Sequence, residues 1–196
     1  MPMLIDEKAL PNDKFGYRIY GVMAHLPEPQ ASEVRKFHRL VGADDLATKP
    51  HCSLDNFWGP PDLDAVKEAL ARVAASHPPF ETEVDPADVR VRDWGCAFTL
   101  RPAPGLLRLH ESLKTALIPL TQRIFTPDTP YWPHTTVLLD AKPEERPRIR
   151  PSLPEIDMSG VMRFTTIELI GRVGPSRGGE YHVLESWPLR EKGTEQ

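Results

Sequence analysis

Apolar and polar positions alternate from Gly16 to Ala24, with Tyr17, Ile19 and Met23 on one side and Arg18, Tyr20 and Val22 on the other, which predicts a first strand. The period then becomes helical. Between Ser32 and Val41 the apolar stripe is Val34, Phe37, Leu40 and Val41, with His38 beside it, Ser32 placed to cap the start and Gly42 to end it. A short strand follows from His51 to Phe57, closed by Gly59, Pro60 and Pro61. Leu63, Val66, Leu70 and Val73 predict a second helix over Asp62 to Ser76, with Lys67, Glu68 and Arg72 outward.

Short strands are expected over Val89 to Trp94 and Cys96 to Arg101. The clearest amphipathic helix runs from Gly105 to Leu120, carried by Leu106, Leu109, Leu113, Ala116, Leu117 and Leu120. Then come a strand over His134 to Leu139, a proline-rich connection through Pro154, and two closing strands, Met162 to Val173 and Glu180 to Trp187, joined by a hairpin loop from Gly174 to Gly179. Helices interspersed among strands give an α+β class with antiparallel sheets. The length of 196 residues suits one domain spanning 1–196, able to bury a core without metal or disulfides.

Composition narrows the function. The 22 prolines are scattered between periodic segments and punctuate a loop-rich fold. With 24 basic and 28 acidic residues the net charge is −4, so no global positive field exists to hold a long nucleic acid, and a small substrate or a strand end fits better. Two cysteines, Cys52 and Cys96, are too few for a disulfide framework and point to a reducing compartment. The start, Met1 to Lys8, lacks the pattern of a signal peptide, and no long apolar span follows. A cytoplasmic monomer with no membrane partner is expected.

One pattern repeats. Pro50-His51-Cys52-Ser53-Leu54 and Pro133-His134-Thr135-Thr136-Val137 share Pro-His-x-Ser/Thr-apolar. On a strand, side chains alternate between faces, so His51 and Ser53 share one face, as do His134 and Thr136. Each strand offers an imidazole and a hydroxyl to that face and apolar atoms behind. Imidazole titrates near neutral pH, so one copy can remove a proton while the other donates one. The hydroxyls of Ser53 and Thr136 can bind the non-bridging oxygens of a phosphate between them. This acid and base chemistry needs no metal and no cofactor.

Other residues carry weaker signals. His110 also fits His-x-Ser-apolar, but it lies in the third helix, where i and i+2 do not share a face, and is expected to take no part in chemistry. Trp132 precedes His134 by two and could stack on a nucleobase, with Tyr131 and Trp58 holding lesser claims. Asp55 follows Ser53 by two and could face the cleft, although a solvated strand-end carboxylate is the simpler expectation. A zinc site from His51, Cys52, His134 and Asp140 is disfavoured, because adjacent His51 and Cys52 point to opposite faces. No phosphate-binding glycine loop, dinucleotide fingerprint or serine-hydrolase elbow occurs in the sequence.

The paired motifs resemble those of the 2H phosphoesterase superfamily, which includes the 2′-5′ RNA ligase-like proteins and RNA 2′,3′-cyclic phosphodiesterases. Leu106 to His110 is similar to that family's central helix, and Tyr181 to Leu184 followed by Trp187 to Leu189 to its closing strand, so the resemblance extends from about Tyr17 to Leu189. It implies a bilobal fold, two antiparallel sheets with outer helices around a central cleft. It also implies His51 and His134 as catalytic residues, His51 as acid and His134 as base, with Ser53 and Thr136 binding phosphate. The expected activity is metal-independent cleavage of a cyclic phosphate or a 2′-5′ phosphodiester of RNA or a small nucleotide. The alternative is a non-catalytic module that binds a phosphorylated RNA end or nucleotide.

Overall fold

The computed structural model describes residues 10–43, 50–60, 62–92, 95–124, 130–139, 141–173 and 180–190. In chain order the elements are β1 (Ile19–His25), α1 (Gln30–Val41), β2 (His51–Trp58), α2 (Leu63–Ser76), β3 (Phe80–Thr82), β4 (Val84–Arg92), β5 (Gly95–Leu100), α3 (Pro104–Leu117), β6 (Gln122–Arg123), β7 (His134–Leu139), α4 (Arg146–Ser152), β8 (Met162–Phe164), β9 (Thr166–Val173) and β10 (Glu180–Pro188). The expected hairpin loop from Gly174 to Gly179, the end of the strand expected to reach Trp94, the Met1 to Lys8 segment, and Asp140 lie outside the described residues.

The chain forms an α+β structure in which all strand pairs are antiparallel. The expected two sheets are unequal. The large one runs β10-β9-β1-β2-β7-β5-β4 with β6 added beside β2, and the small one is the β3-β8 ribbon. Hence the two motif strands, β2 and β7, do not face each other from separate sheets but pair within one. They share only two residue pairs, His51 with Thr136 and Cys52 with Thr135, so the sheet consists of two halves joined along a short seam.

The halves repeat in detail. In the first, the N–H of Leu26 donates to the carbonyl of Pro50 at 3.0 Å; in the second, Leu100 donates to Pro133 at 2.9 Å. Each motif strand also carries a bulge. Opposite the step from Val22 to Met23, β2 runs from Asp55 to Ser53 and Leu54 is the extra residue. Opposite the step from Cys96 to Ala97, β7 runs from Leu138 to Thr136 and Val137 is the extra residue. Leu54 and Val137 are the fifth positions of the two sequence motifs, so the bulge belongs to the repeat.

Local chemistry accounts for the helix ends. The Asp62 carboxylate accepts from the N–H groups of Asp64 and Ala65 at 2.9 and 3.1 Å and starts α2. Gly42, at φ 73°, closes α1 in a left-handed conformation open to glycine. The expected Ser32 cap does not form: α1 begins at Gln30, and the N–H of Ser32 donates to the Glu28 carboxylate at 3.1 Å. Pro119 ends α3 early, because it has no N–H to continue the helical hydrogen bonding, and Ile118–Leu120 tightens to a single 3-10 turn. Helix α4 has Pro147 in its first turn and Pro151 inside it, a composition that reads as coil. The strand expected over Met162 to Val173 is two strands: Thr165 breaks it, β8 pairs with β3, and β9 with β1 and β10.

Tyr20 stacks on Phe57 with ring centres 5.3 Å apart, and Phe80 on Phe164 at 4.9 Å, the second pair fixing the ribbon. Helix α3 contributes Leu106, Leu109, Leu113 and Leu117, all fully buried. Among the described residues no helix is long and apolar enough to cross a membrane. Removing most of a side chain from this stripe leaves a cavity that rigid neighbours cannot fill, so Leu109→Ala is expected to destabilise the fold by about 2–5 kcal/mol. A urea denaturation midpoint unchanged from the parent would contradict the packing described.

Candidate active site

Cross-strand partners project to the same face of a sheet. The register therefore places His25, His51, Thr136, Ala97 and Arg90 side by side on one face, running from β1 through β2, β7 and β5 to β4. Ser53 lies two residues from His51 and opposite Met23, and His134 lies two from Thr136 and opposite Thr99, so both belong to this face. His51 is opposite Thr136, and one step beyond the seam the same register sets Ser53 opposite His134. Each imidazole thus stands across from the other motif's hydroxyl. Antiparallel pairing of two identical motifs centred on their third residues, Cys52 and Thr135, can give no other arrangement.

The opposite face holds the seam together. Cys52 and Thr135 are fully buried there, and the Thr135 hydroxyl donates to the His51 carbonyl at 3.0 Å. Burial pushes the Cys52 thiol up to about 12, against its hydrogen bond to Tyr131, so it stays a neutral packing group.

Trp132 holds His134 through two contacts. Its Nδ1 lies 2.7 Å from the Trp132 carbonyl, an acceptor only, so Nδ1–H donates and Nε2 carries the lone pair when the ring is neutral. Its ring stacks on the Trp132 indole at 4.2 Å and 14°. Burial pushes its pKa below the usual histidine value; the Trp132 carbonyl opposes this and the Arg90 guanidinium adds to it. A neutral ring with a free Nε2 has the form required of a general base.

Trp132 itself is fully engaged. The Arg90 guanidinium lies 4.0 Å from the indole centre, and a second planar group so close cannot share the face taken by His134. Its N–H donates to the Thr99 hydroxyl at 2.8 Å, which donates to Asp88 at 2.8 Å, and Asp88 pairs with Arg90 at 3.1 Å. Stacking of a nucleobase on Trp132 would require Arg90 to leave. Tyr131 stacks on His110 at 3.8 Å, and the Trp58 indole N–H donates to the Pro11 carbonyl at 3.3 Å.

Asp55 departs from both sequence readings. It is neither solvated nor in the cleft: the Leu54 bulge reverses the alternation, so Asp55 pairs with Val22 on the core side, where Arg123 binds both its oxygens. His25 and Glu168 were not visible as site residues. His25 lies opposite His51, with Nε2 3.4 Å from the Glu168 carboxylate, and only the strand register reveals it. Among the described residues no group of three or more His, Cys, Asp or Glu could hold a metal ion.

Because desolvation and Arg90 both disfavour the imidazolium, the His134 ring is expected to titrate below 6.5, and Arg90→Met to raise that midpoint. An NMR pH titration of the ring protons reads both; a parent midpoint at or above the usual value would refute this description.

A model of the 2′-5′ RNA ligase superfamily matches residues 26–175, a span that contains both motifs. Among solved structures, TT0787 of Thermus thermophilus superposes with TM-score 0.61 at 18% identity, covering 89% of this chain and 100% of that one. LigT of E. coli complexed with 3′-AMP gives 0.57 at 20%, covering 88% and 98%, and a crystal structure described as a phosphoesterase gives 0.58 at 18%, covering 88% and 99%. At this identity they establish a common fold. No curated protein sequence matches.

Proposed function

Since the chain belongs to the 2′-5′ RNA ligase superfamily, a family of phosphoesterase type, we propose that it is a metal-independent phosphodiesterase acting on a cyclic phosphate or 2′-5′ phosphodiester of RNA or a small nucleotide. The observation that carries this reading is the register: two imidazoles and two hydroxyls on one face, each imidazole opposite the other motif's hydroxyl. A phosphate seated between them meets a proton acceptor, a proton donor and two neutral hydrogen-bond donors.

In this mechanism neutral His134 takes a proton from water through Nε2 as the water oxygen bonds to phosphorus. The bond from phosphorus to the leaving ribose oxygen breaks, and that oxygen receives the proton carried by His51. Ser53 and Thr136 donate to the non-bridging oxygens, where charge accumulates. The product is a phosphomonoester with one freed hydroxyl, and proton exchange with solvent restores a protonated His51 and a neutral His134. The lowered proton affinity of His134 supports the base role. The 3′-AMP named for the E. coli neighbour makes nucleotide ends the first class to test. Cys52 and Cys96 are buried free thiols, which suits the proposed site of action in a reducing cytoplasm, as a monomer.

On 2′,3′-cyclic mononucleotides and short RNAs with cyclic ends, His51→Ala and His134→Ala are each expected to lower kcat by about a hundredfold or more. Folded variants turning over at parental rates would overturn the acid and base assignment. Activity is expected to survive exhaustive treatment with EDTA; loss that a stoichiometric divalent ion reverses would replace this mechanism with a metal-dependent one.

A further inference from the structure

Two buried histidines outside the cleft make a matched pair of contacts. His110 of α3 has Nδ1 2.7 Å from the carbonyl of Leu54, and His38 of α1 directs Nε2 to the carbonyl of Val137. Leu54 and Val137 are the bulged residues of the two motif strands. A bulge takes its residue out of the strand pairing, so a buried carbonyl there needs another donor. A carbonyl can only accept, which fixes the hydrogen on Nδ1 of His110 and on Nε2 of His38.

The contacts also cross between halves. His38 lies on the helix between β1 and β2 yet binds β7; His110 lies on the helix between β5 and β7 yet binds β2. Each bulged residue follows directly after the motif hydroxyl, Ser53 in one strand and Thr136 in the other. On the first strand the clamp is doubled, because the Tyr131 hydroxyl donates to the Ser53 carbonyl at 3.0 Å while its ring stacks on His110 at 3.8 Å. Burial raises the Tyr131 pKa and keeps that hydroxyl protonated as a donor.

We propose that His38 and His110 are positioning residues, each clamping the bulged carbonyl of the opposite half and so setting where the phosphate-binding hydroxyl and its neighbouring catalytic histidine stand. The seam joins the motif strands through only two residue pairs, so strand placement beyond it depends on such contacts. The inference rests on the two-histidine reading of the cleft. It assigns a role to His110 that its helical context had argued against.

The tautomers give the test. An asparagine amide nitrogen matches Nδ1 of histidine and a glutamine amide nitrogen approximates Nε2, so the matched variants are His110→Asn and His38→Gln, and the mismatched ones His110→Gln and His38→Asn. All four keep a polar side chain, and each is compared as purified protein with parental circular dichroism. On a 2′,3′-cyclic mononucleotide the matched variants are expected to keep kcat within about threefold, and the mismatched ones to lose about tenfold or more with KM changed less. Inorganic phosphate affinity, read from the ring shifts of His51 and His134, is expected to follow the same order without needing turnover. An inactive parent would remove the enzymatic reading while leaving the phosphate comparison decisive. Equal phosphate affinity in matched and mismatched variants, or equal kcat in both, overturns the positioning role.

Discussion

The antiparallel seam between β2 and β7 is the constraint on which the rest of the molecule depends. Two pairs, His51 with Thr136 and Cys52 with Thr135, decide which side chains share a face and which imidazole stands across from which hydroxyl. A slip of one residue would turn one motif over relative to the other, so that one histidine and its hydroxyl would leave the shared face for the core side. The core side opposes that slip: Thr135 is fully buried and its hydroxyl holds the His51 carbonyl.

So short a seam cannot carry the two halves by its own hydrogen bonds, and the structure adds contacts where the strands leave it. The bulges at Leu54 and Val137 allow each motif to present an imidazole and a hydroxyl to the cleft and then place two successive residues in the core: Leu54 with Asp55, and Val137 with Leu138. An unpaired buried carbonyl costs about 1–3 kcal/mol, enough to disfavour the bulge unless a donor reaches it. Histidine suits that position because its ring reaches from a helix to the strand below and supplies one N–H while the rest packs as an apolar plate, as His110 does against Tyr131.

Much of this was legible in the sequence, and the losses have physical causes. Helix α2 was readable because Asp62 caps it and no proline interrupts its apolar stripe. The Pro-His-x-Ser/Thr-apolar repeat marked the strands that form the cleft because period-two alternation holds through all five of its residues. It failed at the sixth: a bulge leaves no mark on hydrophobic periodicity, so Asp55 was placed by an alternation that ends one residue earlier. Helix α4 was hidden by Pro147 and Pro151, and the break at Thr165 by apolar residues on both sides of it. His25, Glu168 and Arg90 come to the cleft through strand order, which a local motif cannot encode. The matched contacts of His38 and His110 were not readable because the helices do not repeat in register with the motifs: α1 begins at Gln30 and α3 at Pro104, which sets Ser112, not His110, at the position matching His38.

A repeated motif gives two chemically equal imidazoles, whereas acid and base catalysis needs them unequal. The inequality comes from what the repeat does not preserve. Opposite His51 the first half places His25, whose ring lies 3.4 Å from the Glu168 carboxylate. At the matching position opposite His134 the second half places Thr99, which ties Trp132 to Asp88 and so keeps the indole between the His134 ring and the Arg90 guanidinium. One imidazole therefore has a carboxylate near its neighbour, and the other has a guanidinium near its own ring. The same backbone twice over thus sets different charges about its two imidazoles, and at His134 burial and the Arg90 guanidinium lower the affinity for a proton.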